Sequence, residues 1–257
     1  MDRMFGNTLV AVGLGVLWLA SGFFWQMSWA TALWPWADGP LSHTFVASIL
    51  AAIAAGVIWI GASREWAAMA AGALNLLVIW AGWTLAFALW ALQGRPQLWS
   101  YAVFSSLSAL INLGIYLWAR KIPLRDASPL PSLVRVSFGV FGAVLLVVGS
   151  ALVLQLPRVF PWPLNPDSSV LFGLIFLGDA FYFLYAVRRP FWRFACAPLW
   201  SFLAYDVVLF VRFIPHFAAV KPEHRLSLIV YMAVLVYSAG LAVWFLFIRR
   251  TATRCSQ

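Results

Sequence analysis

Eight apolar runs, each about long enough to cross the roughly 30 Å hydrocarbon core of a bilayer, divide this chain and leave little sequence between them. They extend from Thr8 to Ala30, Thr44 to Gly61, Ala67 to Leu92, Tyr101 to Ala119, Val136 to Leu156, Val170 to Val187, Phe194 to Phe213 and Ser227 to Ile248. Only 10% of the residues are charged, against about 25% in a soluble domain. In lipid every backbone polar group needs an internal partner, and none of the runs alternates in polarity as a barrel strand does. The expected fold is therefore an all-α integral membrane protein of eight transmembrane helices.

A short phrase in the chain occurs twice. Leu33 to Ser42 returns 126 residues later as Val159 to Ser168, with Pro35, Trp36, Pro40 and Ser42 falling on Pro161, Trp162, Pro166 and Ser168. The same offset, applied without gaps, sets Gly13 on Gly139, Trp66 on Trp192, Pro96 on Pro222, Gly114 on Gly240 and Trp118 on Trp244. These landmarks read as two tandem four-helix repeats, residues 1–120 and 133–257, joined by a proline-rich cytoplasmic linker, residues 121–132, and together making one membrane domain. An even number of helices per repeat gives parallel topology about an axis along the membrane normal. In the repeated loop, proline fixes φ and withholds a donor, so the chain re-enters the membrane stiffly, and Ser42 and Ser168 are placed to cap the helices that follow. The two loops are either structural turns or, set side by side, the roof of an outward-facing cavity or a partner surface.

A net charge of +9 would suggest nucleic acid in a soluble protein. Here the basic residues lie in short loops and report orientation, and no nucleic-acid partner is expected. One side collects Arg3, Arg64, Arg120, Lys121, Arg125, Arg135, Arg188, Arg189 and Arg193, with Arg249, Arg250 and Arg254 in the tail. The other holds Arg95, Arg158, Arg212, Lys221 and Arg225. Both termini are thus expected in the cytoplasm, with the chain in a plasma (inner) membrane. Its partners are the bilayer and either another membrane protein or a second copy. Cys196 and Cys255 then fall on the reducing side, where no disulfide is expected. Arg3 before an apolar run and the sequence Ala30-Thr31-Ala32 resemble a signal peptide, but the first helix has a counterpart in the second half and is expected to be retained.

Small residues four apart in the second and third runs, such as Ala51, Ala55, Ala67 and Ala71, suit close helix packing. Tryptophans at segment ends, among them Trp34, Trp66, Trp99, Trp118 and Trp192, suit anchors at the headgroup level.

An ionisable residue inside a bilayer costs about 2.5–3.5 kcal/mol to insert, which makes it a site candidate. Asp179 and Asp206 lie near the middles of the sixth and seventh runs, a pair suited to a proton or cation relay. Local partners for them would be Tyr182, Tyr205 or Arg212, although Asp206 and Arg212 do not share a helix face. The aligned first-half positions are Ile53, Trp80 and Ala86, so the charges belong to the second half alone. Asn75 and Asn112 are expected to bond between helices. His43, His216 and His224 match no metal-binding spacing, no catalytic or nucleotide-binding motif is present, and no cofactor is expected. Three functions fit: a small transporter or channel-like protein with a midplane acidic site, a non-catalytic scaffold or assembly module, and a lipid-modifying enzyme. Of these, catalysis is the least favoured.

Overall fold

The computed structural model describes residues 2–249, and among them eight long helices carry the fold. They are α1 (Asp2–Phe24), α2 (Pro40–Ser63), α3 (Met69–Leu92), α4 (Trp99–Ala119), α5 (Ser132–Val153), α6 (Pro166–Arg188), α7 (Trp192–His216) and α8 (Pro222–Val243). All eight are long and apolar enough to cross a membrane. Their outward faces agree: on α4, Val103, Phe104, Leu107, Leu110 and Ile111 are all more than half exposed. A water-soluble bundle would bury such a stripe.

Four turns, those before α2, α4, α6 and α8, use the same device. Pro40, Pro166 and Pro222 open α2, α6 and α8, and Pro96 opens the short turn Pro96–Leu98 that leads into α4. Proline suits a first helical position because its missing N–H would have had no partner there. This corrects the expectation for the serines. With proline starting the helix, Ser42 and Ser168 fall inside the first turn, and the capping position of α2 is Gly39.

The helices form two compact units, and each takes helices from both halves of the sequence. Unit 1 comprises α1, α2, α7 from Ala195 onward, α8 and the loop Arg158–Asn165; unit 2 comprises α3, α4, α5 and α6.

In unit 1, α1 lies against α2 through small residues. A Cβ on Gly13 would stand 2.5 Å from Ile58 Cγ1 and 3.2 Å from the Ala54 carbonyl oxygen. In unit 2, α5 meets α6 in the same way: a Cβ on Gly142 would stand 2.9 Å from Leu184 Cδ2 and 3.6 Å from the Ala180 carbonyl oxygen. The α6 residues are those of α2 displaced by 126, but Gly142 lies 129 residues after Gly13. Gly139, the glycine matched to Gly13 without gaps, meets nothing within 4 Å.

The helix ends explain the slip. Gln26 and Gln155, also 129 apart, both adopt left-handed backbone (φ 54° and 56°). After them the Met27 amide bonds to the Gly22 carbonyl at 2.8 Å and the Leu156 amide to the Ala151 carbonyl at 2.9 Å. This closure stops a helix by satisfying its last carbonyls. It ends α1 at Phe24, short of the expected Ala30, and an added turn, Ser28–Thr31, takes up the extra residues before the Pro-Trp loop.

The linker is docked within unit 2. The Leu130 amide donates to the Pro190 carbonyl and the Trp192 amide to the Ser128 carbonyl, both at 2.8 Å. Arg193 pairs with Asp126 at 3.7 Å. The linker covers Trp192, which is 0% exposed. Trp34 and Trp162 are buried as well, so these three tryptophans are core residues and not the expected headgroup anchors, whereas Trp99 and Trp118 are exposed. Cys196 is buried at 0% exposure; the expected absence of a disulfide concerns Cys255 as well, which lies outside the described residues.

Candidate functional site

Two intramembrane carboxyls define the site candidates, one in each unit. In unit 2, α3 and α6 approach closely because residue 178 is glycine. A Cβ there would stand 2.9 Å from both the carbonyl oxygen and Oδ1 of Asn75 and would also clash with Ile79. At that approach Asn75 Nδ2 donates to Asp179 Oδ1 at 2.8 Å. About two turns away along α6, Trp83 Nε1 donates to the Leu171 carbonyl at 3.2 Å, a second polar tie between the same helices. Asn75 Oδ1 is buried with no hydrogen-bond partner. Asp179 itself is part-buried.

In unit 1, Asp206 of α7 is 1% exposed. Ser238 Oγ of α8 lies 3.0 Å from each of its carboxyl oxygens. The same hydroxyl is 2.9 Å from the Val234 carbonyl and 3.1 Å from the Leu235 carbonyl. A serine hydroxyl has one proton and two acceptor lone pairs. It can donate to an ionised Asp206, or accept from a protonated Asp206 while donating to its own helix.

Asn75 has the same versatility, since its amide carries both a donor and an acceptor and can turn either toward Asp179. Both carboxyls thus meet a neutral partner able to serve either protonation state, and among the described residues neither meets a cation.

The expected local partners lie elsewhere. Tyr182 of α6 is buried and faces Gly72, 4.0 Å from the position a Cβ would take there. Tyr205 is hydrogen-bonded to Tyr231. Arg212 Nη2 donates to the Phe24 carbonyl at 3.0 Å, and its guanidinium lies 4.7 Å from the Phe24 ring centre. It thereby caps the C-terminal end of α1, where orphan carbonyls favour a cation. Asn112 bonds back to the Ser108 carbonyl of its own helix, so only Asn75 makes the expected bond between helices.

The second Pro-Trp loop is built into unit 1. Trp162 Nε1 donates to Ser42 Oγ at 3.0 Å, and the rings of Phe160, Phe213 and Tyr231 pack around the loop. Two histidines hold its backbone: His216 Nε2 donates to the Pro161 carbonyl at 3.3 Å and His224 Nδ1 to the Phe160 carbonyl at 3.0 Å. A carbonyl only accepts, so these bonds fix the proton on those ring nitrogens. The first loop is looser, with Pro35 and Trp36 only part-buried and Pro40 exposed. There Trp34 Nε1 bonds to Asp38 Oδ2 at 2.7 Å.

Two further residues are buried: Glu65, not singled out from the sequence, and His43, weighed there only for metal binding. Glu65, at the turn between α2 and α3, is 1% exposed, and His43, in the first turn of α2, is 8% exposed with neither ring nitrogen hydrogen-bonded. An acid beside Trp66 between two apolar runs was the available signal for the first. Ser238, the partner of Asp206, gave none, because serine in a membrane helix commonly bonds to its own backbone.

Fold and site together define a polytopic membrane protein of eight helices with carboxyl groups inside the membrane-spanning segments. Comparison of the chain with protein-family models, with characterised proteins and with solved structures finds no match.

Proposed function

We propose that this protein is a small proton- or cation-coupled transporter or channel-like protein in which Asp179 and Asp206 are the working groups. The observation carrying this reading is the pairing of each intramembrane carboxyl with a single neutral, two-way hydrogen-bonding partner, Asn75 or Ser238. A purely structural acid in lipid is usually paired with arginine or lysine, because compensation of its charge is otherwise missing. Here compensation comes from a proton or a cation that arrives and leaves.

The scaffold is, in the same proposal, a duplicated four-helix unit whose halves exchange hairpins, a common plan for transporters. Matched contacts support this. Asn75 of α3 bonds to Asp179 of α6, and at the aligned position Ser201 of α7 bonds to the Ala52 carbonyl of α2 at 2.8 Å. The excess of basic residues on the side that carries both termini supports cytoplasmic termini, and the plasma membrane is the location this reading takes.

The test is proton flux into proteoliposomes loaded with a pH-sensitive dye under an imposed membrane potential. Asp179→Asn and Asp206→Asn are each expected to lower the flux more than about tenfold while leaving the protein folded, since the carboxamide keeps shape and hydrogen-bonding capacity. Undiminished flux in both variants would sink the proposal.

A further inference from the structure

Asp179 and Asp206 differ in partner and in unit, yet their surroundings restrict the ion they exchange in the same way. At Asp179 the bonded neighbour is an N–H: Asn75 Nδ2 lies 2.8 Å from Oδ1. A donor there fills an acceptor direction of the carboxyl and turns a positive hydrogen toward any ion placed beside it. The two helices also leave little room for a shell of ligands, since even a methyl group on Gly178 would stand 2.9 Å from two oxygens of Asn75. At Asp206 a single hydroxyl, Ser238 Oγ, spans both carboxyl oxygens at 3.0 Å, where a cation held by both would sit. One turn away along these helices the neighbours are buried hydrocarbon: Ile79, Ile175 and Phe183 for Asp179, and Leu209, Leu235 and Ala242 for Asp206.

Resting on the transporter reading above, we infer that the ion exchanged at both carboxyls is a proton and that metal cations are excluded. A hard metal cation exchanges its water for about six or more oxygens, whereas among the described residues each carboxyl meets one neutral polar side chain. A proton needs only a lone pair on the carboxylate and an acceptor for the new O–H. Both acceptors are in place. Asn75 is 5% exposed and its Oδ1 is buried with no hydrogen-bond partner, so rotation of the amide brings an unused acceptor to the acid. Ser238 Oγ can accept from Asp206 while its own proton goes to the Val234 carbonyl, 2.9 Å away. At either site a hydronium gives its proton to a carboxylate oxygen and leaves as water. One O–H bond breaks, one forms, and the hydrogen bond to the neutral partner reverses; release is the same step backward. The carboxyl is neutral while it holds the proton, which removes the cost of a charge in lipid.

Flux and infrared spectroscopy on the full chain test this together. In proteoliposomes under an imposed pH gradient, with thiocyanate as the permeant counter-ion, proton flux is expected to be unchanged when choline replaces all sodium and potassium. Uptake of radioactive sodium or rubidium is expected to match that of protein-free vesicles. In detergent, infrared difference spectra between acid and alkaline buffer are expected to contain protonated-carboxyl bands, one lost in Asp179→Asn and another in Asp206→Asn, at the same positions in sodium and in choline. The sodium and choline comparison uses the wild-type chain, so it does not depend on the variants folding. Sodium or rubidium uptake that falls in the aspartate variants, proton flux that requires sodium, or carboxyl bands displaced by sodium would each overturn the inference and leave the transporter reading standing. Absence of any flux that depends on the two aspartates, for proton, sodium and rubidium alike, would sink the transporter reading and this inference with it.

Discussion

Unit 1 and unit 2 place a polar crossing at aligned positions and use it differently. In unit 1, Ser201 of α7 reaches a backbone carbonyl of α2, and the carboxyl sits deeper in α7 against Ser238 of α8. In unit 2, the crossing itself is the acid site, because Asp179 stands where α2 has Ile53 and Gly178 lets Asn75 reach it. A serine bonding to a carbonyl ties α7 to α2. An asparagine facing a carboxyl ties α3 to α6 and also meets a titratable group. Under the proposed function, the aligned packing carries chemistry in one place and only cohesion in the other.

Packing variants should expose the shared part of this comparison with the largest effects. Gly13→Leu in unit 1 and Gly142→Leu in unit 2 are each expected to destabilise the protein by about 1–3 kcal/mol, the range for overfilled contacts. Gly139→Leu should be near neutral, since nothing lies within 4 Å of it. Thermal unfolding in detergent measures all three, and equal effects at Gly139 and Gly142 would break the 129-residue register.

The loops give the next contrast. Trp162→Phe removes a buried hydrogen bond to Ser42 and is expected to cost about 1 kcal/mol. Trp36→Phe, in the looser first loop, should stay within about 0.5 kcal/mol. A reversal of this order would contradict the view that the Pro-Trp pair of the second loop is packed more tightly than that of the first.

Removing the neutral partners sharpens the comparison further. Asn75→Ala and Ser238→Ala are each expected to lower stability by about 0.6 kcal/mol, the average for polar contacts between membrane helices, while changing the pH dependence of flux.

The smallest effect concerns the linker. Hydrogen bonds from the Ser128 hydroxyl, then from its amide, hold the Asp126 carboxyl below the usual carboxylate range, with Arg193 adding to the effect. A lowered folded value means the contribution is present above the ordinary value of about 3.9 and is lost as pH falls through the folded value. A spin label at Ala127 should gain mobility in that acid range, and in Asp126→Asn should be mobile at every pH.

Much of the scaffold was legible before any coordinates. Length and hydropathy suffice for eight spans, and proline before an apolar run marks the re-entries at Pro40, Pro96, Pro166 and Pro222. Asn75 stood out as a polar side chain needing a partner in lipid. Which helices pack together was not legible: hydropathy measures the cost of leaving lipid and says nothing of the neighbour, so the mixing of α1 and α2 with α7 and α8 could not be read. The three-residue slip was hidden because a gapless comparison set Gly13 on Gly139, although Gly13, Leu17, Ser21 and Gln26 align with Gly142, Leu146, Ser150 and Gln155 once the added turn is allowed. Arg212 was weighed against carboxylates, whereas the stronger demand near it was the unpaired carbonyl at the end of α1.

Proton flux in proteoliposomes bearing Asp179→Asn alone, Asp206→Asn alone or both tests the central claim most directly. The account predicts that either single substitution lowers flux to the protein-free background, so that the double variant falls no further. Flux at the wild-type rate in the double variant would contradict it.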